Sequence, residues 1–473
     1  MHDILIPAVV LIITTLGGLA FAAAIAKKVG WISFRVFAVL NYIVVYLVSG
    51  IVHLINTSAS RRGYFDAVQG LDSGEIDQVL LATTVGFVSL CVGTLVGLPT
   101  KPLGARRVRR IPPFYRSDRV LLTVLSVIVL PLSLFSLIKV RDYASTLDTY
   151  GGRIISVSDG FGRYSYLAAW TVWAITFVVI LIARSSKSGN ERRTGPGILL
   201  LVSGGALAII AATGWSGGRS TFINALPLLL VMLPLLKVNK WAVAGTTLAV
   251  AAGLSIYVSQ VTGDRFSRSR LGTSGPLDWL DWEWGRFSQV GFAVRYTNDN
   301  GFLLGETFIK SIDRFFEGIF RLAGLTYTTS EARSAMEVAG EEILRTSALH
   351  IVPGIAAEFY LNFGMIGIVI GFFIIGRICG VVDLHFDNSS TVITQLFWAF
   401  LGTLCAIRAM IADSGSPLLY LTYSGAPLVF AALLSYLMAR NHAGGDTDQT
   451  LSNQLADHGV SVRNRVPQPV NGK

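Results

Sequence analysis

Charged side chains are scarce in this sequence: they make up 14% of its 473 residues, whereas 52% are hydrophobic. Because soluble domains carry about a quarter charged residues, this composition excludes a soluble globular fold. Cysteine is also rare. Its three copies, Cys91, Cys379 and Cys405, lie in apolar segments, so the sequence indicates neither a disulfide framework nor a thiolate metal site.

Sequence motifs of nucleotide-dependent and metal-dependent enzymes are missing as well. The chain contains no Walker A motif, no GxGxxG followed by an acidic residue and no HExxH. Histidine, a frequent acid–base and metal-binding side chain, occurs six times. We therefore expect no cofactor and no bound metal, and no ATP-driven transport by this chain alone.

Long apolar runs dominate what is present. A membrane-spanning helix needs roughly 20 apolar residues. Eleven segments meet or approach that length, at 4–25, 34–55, 79–98, 120–138, 164–183, 198–213, 222–236, 241–259, 359–379, 392–411 and 418–438. The sequence therefore predicts an all-α, polytopic integral membrane protein. Its expected organisation is eight spans in 1–259, one long loop in 260–357, three spans in 358–438, and a disordered tail in 439–473.

Basic residues cluster in connections that eleven spans place on one side of the membrane. The clusters lie at 106–119, 184–193 and 237–240, and Arg440 follows the last span. The positive-inside rule assigns that side to the cytoplasm, so the N-terminus is expected outside and the C-terminus inside. The net charge of +10 is then explained by topology and lipid headgroups, and no nucleic-acid partner is expected.

The long connection 260–357 is predicted to lie on the outer side. Apolar residues recur at helical spacing over 307–323 and 330–344, which predicts short, partly interfacial helices. The connection is also rich in Trp, Tyr and Arg. Such residues suit a structural lid, an ordinary membrane interface or a carbohydrate-facing surface, and the sequence leaves these alternatives open.

A short turn between the sixth and seventh predicted spans contains Gly217, Gly218 and Arg219. An arginine near the membrane boundary is costly unless it meets an anion, and paired glycines let the backbone approach a bulky ligand. A phosphate group would satisfy Arg219. The alternative is an arginine that extends to lipid headgroups without a specific role.

A second candidate site leads from the long loop into the ninth predicted span. It contains His350, Glu358 and Asn362, and the last two lie four residues apart on one helix face. His350 or Glu358 could act as the general base for a sugar hydroxyl. Alternatively, His350 has a structural role in the loop, and Glu358 pairs with an arginine to hold the fold.

Further cations could help to bind a pyrophosphate, which needs more than one positive group. Arg408 lies near the outer end of the tenth predicted span, and Arg265 and Arg286 lie in the long loop. The alternative for Arg408 is an ion pair with Asp413, just beyond it in the chain.

The GGRS turn at 217–220 and the PGIAAEFYLNFGMIG stretch at 353–367 resemble bacterial Wzy-type polymerases of oligosaccharide repeat units (O-antigen polymerases). The resemblance implies a GT-C-like, metal-independent glycosyltransferase in the bacterial cytoplasmic membrane. Such proteins extend glycans carried on undecaprenyl pyrophosphate at the outer face, in the biosynthesis of O-antigen, capsule or exopolysaccharide. It also implies a lipid-linked oligosaccharide substrate, contact with membrane lipid, and a chain-length regulator and a flippase as partners.

Two other functions fit the same features. An O-antigen ligase shares the fold and a late outer loop with arginines and a histidine. A glycolipid or polysaccharide transporter belongs to a different class and usually places its ionisable groups near the bilayer midplane. A structural or sensory membrane protein would require the charges of Arg219 and Glu358 to be paired and inert.

The polymerase hypothesis makes a direct prediction for Arg219. The substitution Arg219→Ala should abolish long-chain glycan and leave single repeat units on the cell surface, because the leaving pyrophosphate loses its principal cation. The length distribution of the surface polysaccharide measures this. Near-normal chain lengths would remove Arg219 from the mechanism.

Overall fold

The computed structural model describes residues 2–55, 73–98, 112, 114–145, 162–185, 231, 285–323, 325–328, 330–344 and 352–438. All regular elements within these residues are helices, which confirms the all-α prediction. Six of them are long and apolar enough to cross a membrane, or seven if one bent pair is counted as a span. The protein is therefore a polytopic membrane protein. The predicted spans at 198–213 and 241–259, and all of 222–236 except Val231, lie outside the described residues.

The eight predicted spans within the described residues each coincide with an apolar helix or a broken pair of helices. In chain order the helices are α1 (His2–Val29), α2 (Phe34–Tyr42, continued by π-helical Ile43–Val48 and by Ser49–Ile55), α3 (Ser73–Leu95), α4 (Arg116–Ser145), α5 (Gly162–Ala169), α6 (Thr171–Ser185), α7 (Phe287–Asn300), α8 (Glu306–Leu322), α9 (Ala335–Leu344), α10 (Ile355–Asp387), α11 (Val392–Thr403, continued by π-helical Leu404–Arg408 and by Ala409–Ile411), α12 (Gly415–Leu419, continued by π-helical Tyr420–Ser424) and α13 (Ala426–Met438).

The ends of the described helices lie at two opposite ends of the bundle. Arg35 at the start of α2 donates hydrogen bonds to the carbonyl groups of Gly97, just after α3 (3.2 Å), and of Gly380 near the end of α10 (3.3 Å). Ser435 near the end of α13 donates to Asp118 at the start of α4 (3.1 Å). We call this the basic end, because the arginine-rich connection between α3 and α4 joins it. The other end, where α10 begins and α11 stops, is called the opposite end.

Among the spans that the structure describes, α3 and α10 lie in direct backbone contact, and glycines make this contact possible. A Cβ on Gly376 would lie 2.5 Å from the carbonyl oxygen of Leu90 and 2.9 Å from the amide nitrogen of Thr94. A Cβ on Gly93 would lie 2.2 Å from the carbonyl oxygen of Phe373. The two backbones therefore touch, as in membrane helices that associate through small residues.

Helix α7 is the largest difference from the predicted organisation. The two helices predicted over 307–323 and 330–344 coincide with α8 and α9, but no helix was expected over 287–300. Ten of the fourteen residues of α7 are buried, and it packs against α3 and α10. Its buried polar residues, such as Ser288, Gln289 and Thr297, interrupt the apolar pattern on which span prediction depends.

The contact between α3 and α10 predicts the effect of adding one methyl group. Gly376→Ala should lower the melting temperature in detergent, because overpacking costs about 1–3 kcal/mol and the nearest atoms belong to rigid backbone. Gly17→Ala in α1 is the matched control, since its Cβ would meet no described heavy atom within 4 Å outside its own helix. Equal melting temperatures for the two variants would show that α3 and α10 are not in direct backbone contact.

Candidate functional site

Helix α10 is interrupted by a sharp bend at Gly364, whose φ is 58° and ψ is −140°. A Cβ on Gly367 would lie 2.3 Å from the carbonyl oxygen of Phe359, and one on Gly371 would lie 2.2 Å from the Phe359 ring. In a straight helix, residues 359 and 371 would be about 18 Å apart along the axis. The segment 355–363 therefore folds back against the first turns of the span as a short re-entrant segment.

Glycines hold this re-entrant segment in place. Gly364 has a left-handed backbone, and a Cβ there would lie 2.9 Å from the ring of Phe302. Gly354, which precedes the segment, also has a positive φ of 79°, and its Cβ would lie 2.9 Å from Cγ of Arg286. Only glycine meets both conditions at low cost, so these two positions determine where the chain turns.

A second helix break lies beside the first one. Helix α11 ends at Ile411 and α12 begins at Gly415, so this break lies at residues 412–414. The bend of 64° between Gly415–Thr422 and Ala426–Met438 lies further along the chain. Ser414 and Asp413 occupy the gap between α11 and α12. The two breaks meet at the opposite end of the bundle, where Ser414 contacts Glu358.

Glu358 is fully buried and accepts hydrogen bonds from two neighbouring elements. The hydroxyl groups of Thr307 and Ser414 donate to Oε1 at 2.8 and 2.7 Å, and the amide of Ser414 donates to Oε2 at 2.6 Å. These contacts join the re-entrant segment to α8 and to the gap before α12. Glu358 is thus held by hydroxyl and amide donors, and the arginine partner considered from sequence is not among these contacts.

Asn362 belongs to the same hydrogen-bond network and is also fully buried. Its Nδ2 donates to the hydroxyl oxygen of Thr307 (2.7 Å) and to the carbonyl of Glu358 (2.8 Å), and its Oδ1 accepts from the amide of Gly305 (2.9 Å). The prediction that Glu358 and Asn362 share one helix face is confirmed. That face points into the protein.

Asp413 provides a second buried carboxylate. It accepts hydrogen bonds from Nη1 of Arg314 (3.3 Å) and from the amide of Ser416 (3.0 Å). Burial raises the pKa of Asp413, while Arg314, Ser416 and Arg408 act in the opposite direction. Sequence reasoning missed Arg314, although its position in the helix predicted over 307–323 places it with Thr307 and Ser311 on the side of α8 that faces the bundle.

Arg408 is half-buried, and its side chain is oriented by two contacts. Its Nε donates to the hydroxyl oxygen of Ser416 (2.8 Å), and its guanidinium carbon lies 4.7 Å from the ring centroid of Tyr420. The alternative ion pair with Asp413 is wrong for this structure, since Asp413 pairs with Arg314. Among the described residues, no carboxylate lies within ion-pair distance of Arg408.

Arg286 lies at the start of α7 and is 9% exposed. Its Nε donates to the carbonyl of Ile411 (2.9 Å), and its Nη1 donates to the carbonyl of Gly285 (2.6 Å). The side chain therefore ties the end of α11 to the start of α7. Of the other residues proposed from sequence, the following lie outside the part of the chain that the structure describes: Gly217, Gly218, Arg219, Arg265 and His350.

Comparisons with protein-family models, with curated proteins and with solved structures find no match to this chain. The chemistry of the site is therefore defined by its own side chains. At the opposite end they provide two buried carboxylates, one arginine paired with a carboxylate, and one half-buried arginine without such a partner among the described residues.

The hydrogen-bond network predicts that Glu358 contributes to stability. Glu358→Gln should lower the melting temperature in detergent, because a buried carboxamide would place an NH₂ group against donors from Thr307 and Ser414, and each unsatisfied group costs about 1–3 kcal/mol. Glu342→Gln, at an exposed glutamate of α9, is the matched control. If both variants melt at the same temperature, the network does not hold the two helix breaks together.

Proposed function

We propose that this chain is a GT-C-like glycosyltransferase that polymerises oligosaccharide repeat units carried on polyprenyl pyrophosphate. The opposite end of the bundle is assigned to the outer face of the bacterial cytoplasmic membrane, since the basic clusters of the sequence adjoin the other end. The observation that carries the proposal is the geometry of Arg408. The resemblance of the two short sequence stretches supports the choice of substrate.

Arg408 has the properties of an anion-binding side chain. Tyr420 and Ser416 fix the plane of its guanidinium group, and a fixed guanidinium plane suits bidentate recognition of phosphate oxygens. Its terminal nitrogens have no carboxylate partner among the described residues. An arginine at the end of a membrane helix is stabilised when it meets an anion, and the pyrophosphate of a lipid-linked glycan provides one at this depth.

The proposed reaction needs no metal and no nucleotide. A hydroxyl group of the incoming repeat unit attacks the anomeric carbon of the growing chain, a new glycosidic C–O bond forms, and the C–O bond to the pyrophosphate breaks. The electron pair leaves with the polyprenyl pyrophosphate, whose negative charge Arg408 and Arg219 stabilise. The hydroxyl proton passes to a general base.

We propose His350 as this base and a positioning role for Glu358. The carboxylate of Glu358 is buried and accepts three hydrogen bonds, so both of its oxygens are occupied in this conformation. His350 lies four residues before Gly354, the residue where the chain turns into the re-entrant segment. Glu358 would then fix the re-entrant segment, and His350 would take the proton.

A second candidate function, glycolipid transport, is favoured by one specific observation. Secondary transporters commonly build their binding sites from broken helices near ionisable residues. Here the re-entrant segment of α10 meets the gap between α11 and α12 beside the buried carboxylates of Glu358 and Asp413. The location of unpolymerised repeat units in a mutant cell separates the two functions.

Substitution of Arg408 tests the polymerase proposal. Arg408→Ala should reduce the transfer rate by about 10- to 100-fold, because a hydrogen bond to a charged group contributes roughly 1.5–3 kcal/mol. Arg408→Lys should retain part of the rate, since it keeps the charge but loses the planar fork. Rates are measured with the purified protein and a polyprenyl-pyrophosphate oligosaccharide, and chain lengths are measured on cells.

Arg377→Ala is the matched control, because Arg377 is an exposed arginine of α10 toward the basic end. Unchanged transfer by Arg408→Ala, with normal folding, would reject the proposed anion site. Single repeat units displayed on the outer surface of Arg408→Ala cells would support a polymerase. Repeat units retained on the inner leaflet would support a transporter instead.

A further inference from the structure

Helix α8 presents three different faces. The first carries the apolar side chains Ile309, Ile312, Phe316 and Ile319, which are 54%, 53%, 42% and 44% exposed. At 100° per residue these positions fall within an arc of roughly 80°. Large apolar side chains aligned in this way are too exposed to be part of the protein core, so this face needs an apolar environment outside the chain.

The second face of α8 is charged, and Ser330 and Arg333 contact its first half. Asp313 accepts hydrogen bonds from the amide (2.8 Å) and the hydroxyl of Ser330, and Glu306 accepts one from Nε of Arg333 (3.1 Å). Burial acts to raise the pKa of Glu306, but hydrogen bonds from Arg333 outweigh it and lower that pKa. The charged face therefore lies in a polar environment.

The third face of α8 packs against the candidate site. Thr307 and Ser311 contribute hydroxyl groups to the network around Glu358 and Ser414. A Cβ on Gly318 would lie 2.6 Å from the hydroxyl oxygen of Thr422, so α8 sits close to the broken span. These contacts fix the rotation of α8 about its axis. They therefore also fix the direction in which its exposed apolar face points.

The loop before α8 extends the same apolar surface. Phe302 and Leu304 are 52% and 77% exposed, and Leu304 has a left-handed backbone with φ 47°, which is unusual for a residue with a side chain. The amides of Leu303 and Leu304 donate to the carbonyls of Leu361 and Asn362, at 2.9 and 3.2 Å. The loop is therefore anchored, and its exposed side chains are held in place.

The apolar face of α8 is continuous with the outer surface of a membrane span. The ring of Phe308 stacks on the ring of Phe363, with centroids 6.1 Å apart. Phe363 ends the re-entrant segment, and Ile366 lies in the first turn of the span beyond Gly364; they are 43% and 69% exposed. Both belong to α10, one of the six candidate spans. Since the outer surface of such a span faces lipid, the adjoining face of α8 lies at the same boundary.

We propose that α8 lies in the plane of the membrane interface, with its apolar face in contact with the hydrocarbon chains of bilayer lipid. The charged face then points toward water and the third face toward Glu358 and Ser414. This arrangement matches an interfacial amphipathic helix, whose apolar side penetrates about 5–10 Å below the headgroups. The proposed partner is bilayer lipid, and the placement does not depend on the catalytic role of Arg408.

The placement also assigns a depth to the candidate site. Ser311 on α8 contacts Ser414 at 2.8 Å, so the hydroxyl network around Glu358 lies level with a helix seated between headgroups and hydrocarbon. A pyrophosphate attached to a membrane-embedded prenyl chain occupies the same level. This consequence rests on the proposed function, whereas the lipid contact of α8 stands by itself.

Site-directed fluorescence quenching in vesicles tests the placement. Ile312→Cys and Ile319→Cys are labelled in turn with an environment-sensitive fluorophore, and Glu317→Cys, on the charged side of α8, is the matched control. The three native cysteines are first replaced by alanine, which removes background labelling. Phosphatidylcholine vesicles containing a lipid with a nitroxide on the upper acyl chain provide the hydrocarbon quencher, and iodide provides the aqueous one.

Labels at 312 and 319 should lose most of their fluorescence to the nitroxide lipid and little to iodide, and the label at 317 should show the reverse. Quenching of 312 and 319 by iodide would place the apolar face in water and overturn the proposal. Protection of both positions from both quenchers would show that a protein surface covers α8, which also overturns it. Neither result depends on transfer activity, so the proposed function is tested separately.

Discussion

The structure depends on one constraint: polar groups at membrane depth have no water to bind, so the protein itself must satisfy them. Each helix break exposes amide and carbonyl groups that a continuous helix would pair internally. In this protein the re-entrant segment of α10 and the gap between α11 and α12 lie side by side, and buried side chains accept hydrogen bonds from amides of these segments and of the loop before α8. Glu358 accepts a hydrogen bond from the amide of Ser414, and Asp413 accepts one from the amide of Ser416. Asn362 accepts one from the amide of Gly305, in the loop before α8.

This constraint explains which parts of the fold could be predicted from the sequence. Apolar runs identify helices whose solvent is lipid, and every predicted span within the described residues coincides with a helix or a broken pair. Helix α7 has a different environment, because it is surrounded by other helices and can bury Ser288, Gln289 and Thr297. Hydropathy therefore carries no signal for it, and its position in the bundle follows only from tertiary packing.

The sequence was sufficient to select several residues of the candidate site, but not to predict which residues they contact. Glu358, Asn362 and Arg408 could be selected from sequence because polar groups near apolar spans are costly. The carboxylates of Glu358 and Asp413 find partners 50 or more positions away in the chain, Thr307 for Glu358 and Arg314 for Asp413. Local spacing favoured a pair between Arg408 and Asp413. In the folded protein Arg314 approaches Asp413 from α8, which leaves the guanidinium of Arg408 free of a carboxylate partner among the described residues.

The residues of the stretch at 353–367 have structural roles, and a motif of this kind need not contain the side chains that bind substrate. Gly354 and Gly364 adopt left-handed conformations, Gly367 accommodates the backbone at Phe359, and Glu358 and Asn362 join the two helix breaks. These residues have roles in the fold that account for their spacing. A side chain that also binds substrate must retain unused hydrogen-bonding capacity and reach the surface of the site. Arg408, which is half-buried, meets both requirements, whereas Glu358 and Asn362 in the stretch that carries the resemblance are fully buried.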